Sequence, residues 1–176
     1  MPRLFSAILA IVTLLAAPAS AVERGFVFQA LTGGTYALAD WRGRPVLVVN
    51  TASLCGYTAQ FDDLQAIQDR YRNRGLVVLA VPSNDFRQEL ASDAEVADFC
   101  AVNFALDIPM AGITPVLGPQ AHPFYRWLDT AHGVRPTWNF HKVLIGPDGA
   151  FAGQWPAPVR PTAPPVRRAI EAVLQP

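Results

Sequence analysis

Cysteine, histidine and net charge are all scarce in this chain, and each shortage narrows what it can do. Of 176 residues, two are cysteine (Cys55, Cys100) and three are histidine (His122, His132, His141). Neither set has the spacing of a metal site, so no metal or other cofactor is expected, and the histidines read as surface or hydrogen-bonded residues. Charged residues make up 16% of the chain, with 14 basic against 14 acidic. No basic run or patch breaks that balance, which argues against nucleic acid as a partner. Beyond residue 17 no apolar stretch is long enough to span a bilayer, so no stable membrane partner is expected. There is no internal repeat, and the proline-rich stretch 156–165 is too short to separate domains.

The N-terminus has a pattern of its own. Met1-Pro2-Arg3 is followed by an apolar run over 4–17 and by Pro18-Ala19-Ser20-Ala21. A basic start, a short apolar run and a small-x-small site are the three parts of a secretory signal peptide. The run has 14 residues, below the 18 or so that cross a bilayer. Residues 1–21 are therefore expected to be a signal peptide cleaved after Ala21, with an uncleaved anchor as the alternative. An exported protein, periplasmic or secreted, is implied either way. Residues 22–176 form a single domain of 155 residues carrying 13 basic and 14 acidic side chains, enough chain for a sizeable core.

In an oxidising compartment two cysteines 45 residues apart have two readings. They form a structural disulfide, which would stabilise the fold by about 4 kcal/mol in the chain-entropy model. Or they are a reactive thiol and its resolving partner. The setting of Cys55 bears on this choice. The apolar run 46–49 ends in a small polar loop that carries Cys55, and an amphipathic helical pattern follows. A thiol where a strand hands over to a helix N-terminus meets unpaired N–H groups and the positive end of the helix dipole, which favour an anion. The thiolate is the form that attacks peroxides and disulfides.

The periodicity predicts an α/β fold. A β-hairpin over 26–38 turns at Gly33-Gly34. A buried strand over 45–50, a helix over 58–72 with Phe61, Leu64, Ile67 and Tyr71 in a stripe, and a second buried strand over 76–81 make a βαβ unit with parallel strands. Gly75 ends that helix. A helix over 93–103 starts at Ser92 with Glu95 three residues on, and 124–129 supplies one or two helical turns. A hairpin over 143–155 turns at Pro147-Asp148-Gly149, and a terminal helix covers 166–174. This order is the thioredoxin-like arrangement: a mixed central sheet flanked by helices, with an N-terminal β-hairpin. Fold alone does not name a function.

Five separated motifs in order resemble the glutathione peroxidase family, over about residues 25–175. They are NTASLCGYT at 50–58, PSNDFRQE at 82–89, FALDIPM at 104–110, GPQAHPFYRWL at 118–128 and WNFHKVL at 138–144. The resemblance implies a thiol-dependent peroxidase that reduces hydrogen peroxide, organic hydroperoxides or both. Carried over position by position, it implies Cys55 as the peroxidatic cysteine with Gln88, Trp138 and Asn139 around it. An indole N–H and two carboxamide groups supply uncharged donors to a thiolate and to the departing oxygen. Without the other motifs, Trp138 would read as a core aromatic and Asn139 as a turn residue. Two departures stand out. The Gln88 segment is one residue shorter than the family motif, with Arg87 before the glutamine, so the loop's path is open there. Ser83 stands where the family often has cysteine.

Cys100 matches the resolving position of the thioredoxin-dependent branch. That match implies a Cys55–Cys100 disulfide recycled by a thioredoxin-like dithiol protein, with glutathione as the alternative reductant. The connection from Trp127 to Trp138 lacks the long insertion of tetrameric members, so a monomer is expected, its active-site face open to a protein reductant. Trp41, Trp127, Trp138 and Trp155 are candidates for the apolar rim of that face. The competing readings are a redox-silent thioredoxin-fold binding protein with a structural disulfide, and a disulfide-exchange protein, which the lack of C-x-x-C disfavours.

Overall fold

The computed structural model describes residue 21 and residues 24–174. The leader expected over 1–21 lies, apart from Ala21, outside the described residues.

The N-terminal hairpin pairs β1 (Val27–Gln29) with β2 (Thr35–Ala37) in antiparallel register. The central sheet has the order β4-β3-β5-β6. Strand β3 (Val46–Thr51) runs parallel to β4 (Val77–Pro82) and antiparallel to β5 (His141–Ile145). β6 (Phe151–Trp155) closes the edge beside β5, with a register shift at Leu144/Ile145. All residues of β3, β4 and β5 are buried, as expected for strands covered on both faces.

Period-two alternation divides β3 between two cores. Leu47 and Val49 face a cluster with Phe61, Leu64 and Ile67 of helix α1 (Gln60–Tyr71), Val96 and Cys100 of α2 (Asp93–Phe104), and Val166 and Ile170 of α4 (Pro164–Val173). Val46 and Val48 face the other, with Phe28 of the hairpin and Phe124, Trp127 and Leu128 of α3 (Pro123–His132). A one-residue slip of β3 would exchange the two sets, so its register is firmly specified.

Two departures from the sequence reading have clear causes. Helix α1 begins at Gln60 rather than near Thr58, because residues 56–59 form turns held by Thr58 N–H on Cys55 O at 3.1 Å and Gln60 N–H on Tyr57 O at 2.8 Å. Helix α3 has ten residues, not one or two turns. Pro123 sits in its first turn and the His122 ring accepts the Phe124 N–H, so the helix is started by a proline and a side-chain cap, a combination suited to N-termini. Of the two settings expected for the histidines, surface or hydrogen-bonded, His141 does not take the first: it is buried on β5. The expected N-cap at Ser92 is present, with Glu95 reaching back one residue beyond it. Ser92 Oγ accepts the Glu95 N–H at 3.3 Å, and Glu95 Oε2 takes the Ala91 N–H at 3.0 Å.

The proline-rich stretch 156–165 is anchored by polar contacts. Gln60 Nε2 donates to Ala157 O at 2.7 Å, and Arg160 grips the Asp63 carboxylate with two bonds of 2.6 and 2.9 Å, joined by Thr162 at 3.0 Å. Lys142 Nζ, wholly buried, donates to Ala157 O at 3.0 Å. Burial pulls the Lys142 ammonium down to about 7, against the raising effect of Asp63.

Candidate active site

Three segments far apart in sequence converge at the end of β3. The first is the turn carrying Cys55. Thr51 ends β3, Ala52 and Ser53 are buried, Leu54 is exposed, and Cys55 is buried at 4% exposure. Residues 56–59 intervene before α1, so Cys55 stands in the turn ahead of the helix rather than at its first residue.

The second segment is the loop 83–89. It is fastened at both ends and across its middle. Ser83 N–H bonds Thr51 O at 3.0 Å, and Leu54 N–H bonds Gln88 O at 2.8 Å, so the loop runs beside the cysteine turn. Asp85 Oδ2 accepts the Val116 and Leu117 N–H groups at 2.6 and 2.8 Å. Asn84 O takes the Arg87 N–H at 2.8 Å, and Asn84 Oδ1 takes the Glu89 N–H at 3.2 Å. Arg87 adopts a left-handed φ of 59°, rare for a residue with a Cβ. That turn, with the two Asn84 bonds, sets the path of the shortened loop into Gln88, whose backbone meets the cysteine turn.

The third segment is 138–140. Asn50 Nδ2 donates to Trp138 O at 3.0 Å, and the Phe140 N–H donates to Asn50 O, which locks this segment to the end of β3. Phe140 is fully buried with a φ of 61° and packs edge-on to Phe61 at 5.2 Å. A left-handed phenylalanine costs of order 1–3 kcal/mol and persists only where its surroundings fix it. It sets the direction of Asn139, which is fully buried. Asn139 Nδ2 donates to Gln88 Oε1 at 3.0 Å. With its oxygen so engaged, the Gln88 carboxamide keeps its N–H₂ as a donor. Trp138 is 41% exposed and packs on Phe86 at 5.3 Å. It is the exposed member of the four tryptophans; Trp127 is buried in the second core, and Trp41 and Trp155 are half-buried.

Asn50 Oδ1, Thr51 Oγ1, Ser53 Oγ, Glu89 Oε2 and Asn139 Oδ1 are buried here without a protein partner among the described residues. Unpartnered buried polar atoms are uncommon and call for a reason.

Glu89 lies in the second motif, where the sequence assigns it no role. Its Oε1 accepts the Ser53 N–H at 3.0 Å and the Leu90 N–H at 2.9 Å, so this buried carboxylate holds the cysteine turn to the second loop. Asn50 was also missed; its role as a clamp for 138–140 is a tertiary contact with no local signal.

Both cysteines are free. Cys100 lies inside α2 at 2% exposure, in the same apolar cluster as Cys55. Burial, and secondarily the charge of Glu89, push its thiol up to about 12. The histidines lie apart. His122 Nε2 sits 2.9 Å from Val27 O with its ring stacked on Phe28 at 4.0 Å, and His132 stacks on Phe151 at 4.8 Å. Burial and then the Lys142 charge push His141 down to about 4. Among the described residues no group of three or more His, Cys, Asp or Glu is placed to hold a metal, and no helix is long and apolar enough to cross a membrane.

The glutathione peroxidase family model matches residues 25–129. The chain is 35% identical over 148 residues to a hydroperoxy fatty acid reductase of Synechocystis sp., covering 78% of this chain and 88% of that one. It is 36% identical over 154 residues to a glutathione peroxidase homologue of Staphylococcus aureus, covering 85% and 96%. The crystal structure of Trgpx in apo form superposes with a TM-score of 0.67 at 31% identity, over 89% of this chain and 97% of that one. A thiol:disulfide interchange protein of Chlorobium tepidum superposes equally well, TM-score 0.67 over 92% of this chain and all of that one, at 17% identity. That likeness marks the thioredoxin-like fold.

Proposed function

Because the chain belongs to the glutathione peroxidase family and is a thiol-dependent peroxidase, we propose that Cys55 is its peroxidatic thiol and Cys100 its resolving thiol. The observation that carries this reading is the convergence on the Cys55 turn of Gln88, through Leu54 N–H on Gln88 O, and of Asn139, through its bond to Gln88.

The Cys55 thiolate attacks one oxygen of the peroxide, the O–O bond breaks, and an alkoxide or hydroxide leaves. Cys55 becomes a sulfenic acid, and the leaving oxygen takes up a proton to depart as alcohol or water. Gln88, Asn139 and the Trp138 indole donate to the sulfur and to the leaving oxygen, where charge develops. Cys100 then attacks the Cys55 sulfur, water leaves, and a disulfide forms. A thioredoxin-like dithiol protein reduces that disulfide by exchange and is itself oxidised; glutathione is the alternative reductant. The exposed Trp138 offers such a partner an apolar edge. Organic hydroperoxides, fatty-acid hydroperoxides among them, are favoured substrates in this reading, given what the Synechocystis relative is named for. The signal-like leader supports export to the periplasm or beyond, with cleavage after Ala21, and the short connection between α3 and Trp138 supports a monomer.

The deciding experiment is a steady-state peroxidase assay with hydrogen peroxide and a fatty-acid hydroperoxide, run with glutathione and with a panel of dithiol proteins. Turnover with a dithiol protein, and loss of both thiols after one equivalent of peroxide, are expected. Retention of both thiols under peroxide would overturn the reading.

A further inference from the structure

Arg87 combines an uncommon backbone conformation with an uncommitted charge. Its φ of 59° lies where a residue with a Cβ rarely sits, and such outliers concentrate at working sites. Its neighbours place it at the rim of the candidate site. Phe86 before it packs on Trp138 at 5.3 Å, and Gln88 after it gives its carbonyl to the Leu54 N–H at 2.8 Å. Leu54, the residue before Cys55, and Trp138 are both exposed, so the rim carries apolar surface on two sides of this arginine. The other charged groups of the rim are engaged. Asp85 accepts the Val116 and Leu117 N–H groups, and Glu89 is buried on the Ser53 and Leu90 N–H groups. Arg135, three residues before Trp138, is paired with Asp129 at 2.6 Å. The Arg87 side chain is exposed and makes neither a hydrogen bond nor an ion pair among the described residues.

We infer that Arg87 is a specificity-determining residue that selects hydroperoxides carrying a free carboxylate, so that the preferred substrate is a fatty-acid hydroperoxide as the free acid rather than as its ester. The inference rests on Cys55 being the peroxidatic thiol. A free fatty-acid hydroperoxide has an apolar chain and one anionic end. The rim offers the matching pair, apolar surface at Leu54 and Trp138 and one uncommitted cation between them in the chain of contacts. A guanidinium meets a carboxylate with two parallel N–H bonds, a geometry that an ester cannot answer with a charge. The chain carries 14 basic and 14 acidic residues, so its overall field does not gather anions and the discrimination is local. An exposed pair of this kind is modest in strength and is screened by salt. Those two properties fix the size and the signature of the effect.

The test is the ratio of kcat/KM for a fatty-acid hydroperoxide to that for its methyl ester, both kept monomeric, at low and high salt. It is run on full-length wild type, Arg87→Gln and Arg87→Lys, with hydrogen peroxide as the reference substrate. The ratio cancels any change that a variant makes at Gln88 or Cys55, since both substrates meet it equally. In wild type at low salt the acid should be favoured by about threefold to fivefold, the size of a strong exposed ion pair. The preference should fall toward one in about 1 M salt, where the screening length is about 3 Å. Arg87→Gln should lose the preference at low salt, and Arg87→Lys, which keeps the charge, should retain part of it. A wild-type ratio of one at low salt, or one that salt does not lower, overturns the inference and needs no variant to fold. An Arg87→Gln ratio equal to wild type overturns it as well, as does a loss in Arg87→Lys as complete as in Arg87→Gln, which would trace the effect to the loop rather than to the charge. Failure of wild type to consume any of the three peroxides would instead remove the peroxidatic role of Cys55, so the two failures are distinct.

Discussion

Asn139 Nδ2 donates to Gln88 Oε1 at 3.0 Å, joining side chains 51 residues apart. Each residue fixes the other, so the two form one unit of the site. Removing a donor from a preorganised site typically costs about 2.7–4 kcal/mol of barrier, or 10²–10³-fold in rate. Losses of that order are expected in the peroxide-reducing step for Asn139→Ala and Gln88→Ala. Neighbours that share a bond are not additive, so the double variant should lose clearly less than the sum. Stopped-flow rates with hydrogen peroxide check both points, and additive losses would show that the bond does not organise the site.

Trp138 differs from these two because it is exposed and rests on Phe86. Trp138→Phe keeps the apolar contact and removes the indole N–H. It should slow peroxide reduction by about 10²-fold if the indole donates to the sulfur or the leaving oxygen, with little loss of stability. An unchanged peroxide rate would leave Trp138 as a rim residue only.

Cys55→Ser should abolish peroxide consumption and leave the fold intact. Cys100→Ser should react once with peroxide, accumulate sulfenic acid on Cys55, and fail to turn over with a dithiol protein. A structural disulfide here would add about 4 kcal/mol, a large share of the 5–15 kcal/mol typical of a domain. Both thiols are buried in the apolar cluster, and Cys100 lies within α2, so bringing the sulfurs to about 2 Å must disturb that helix. The reduced form is therefore expected to be as stable as the oxidised form or more so. Denaturation curves of the two redox forms decide the point, a much weaker reduced form being the contrary result.

Lys142 gives a prediction with a definite sign. Its folded pKa, about 7, lies below its ordinary value of 10.5. Between these values the unfolded chain holds the proton and the native protein does not. Stability should therefore rise with pH across that window, by at most about 1.4 kcal/mol per unit, and the full penalty is present below pH 7. Lys142→Met should flatten this rise and be more stable than wild type near neutral pH. Urea denaturation of both proteins at about pH 7 and pH 9 gives the slopes; equal slopes would mean that Lys142 keeps its proton in the native state.

The sheet and its helices were legible because their signals are local. The continuous apolar runs of β3 and β4, the stripe from Phe61 to Tyr71 and the Ser92 cap each carry their own pattern. The candidate site was legible by resemblance, and the short Gln88 loop shows where that reading stopped. The loop's path there is set by a left-handed Arg87 and two bonds that Asn84 accepts, from the Arg87 and Glu89 N–H groups, and no propensity favours arginine at positive φ. Asn50 and Glu89 act through partners 36 or more residues away, a distance over which sequence spacing carries no contact information. The length of α3 was missed although its pattern is present: Phe124, Trp127 and Leu128 recur at helical spacing on one buried face, and Pro123 is suited to a first helical turn.

Ala105 closes α2 with a left-handed φ of 47°, a conformation that costs an L-residue roughly 1–2 kcal/mol. Melting the end of that helix returns this energy. Opening at α2 therefore begins from a lower threshold than a glycine-ended helix would impose. Such openings occur between microseconds and seconds, and the proposed resolving role of Cys100 would draw on them. Ala105→Gly should relieve this strain and make the last turn of α2 harder to open, which amide hydrogen exchange would read as stronger protection.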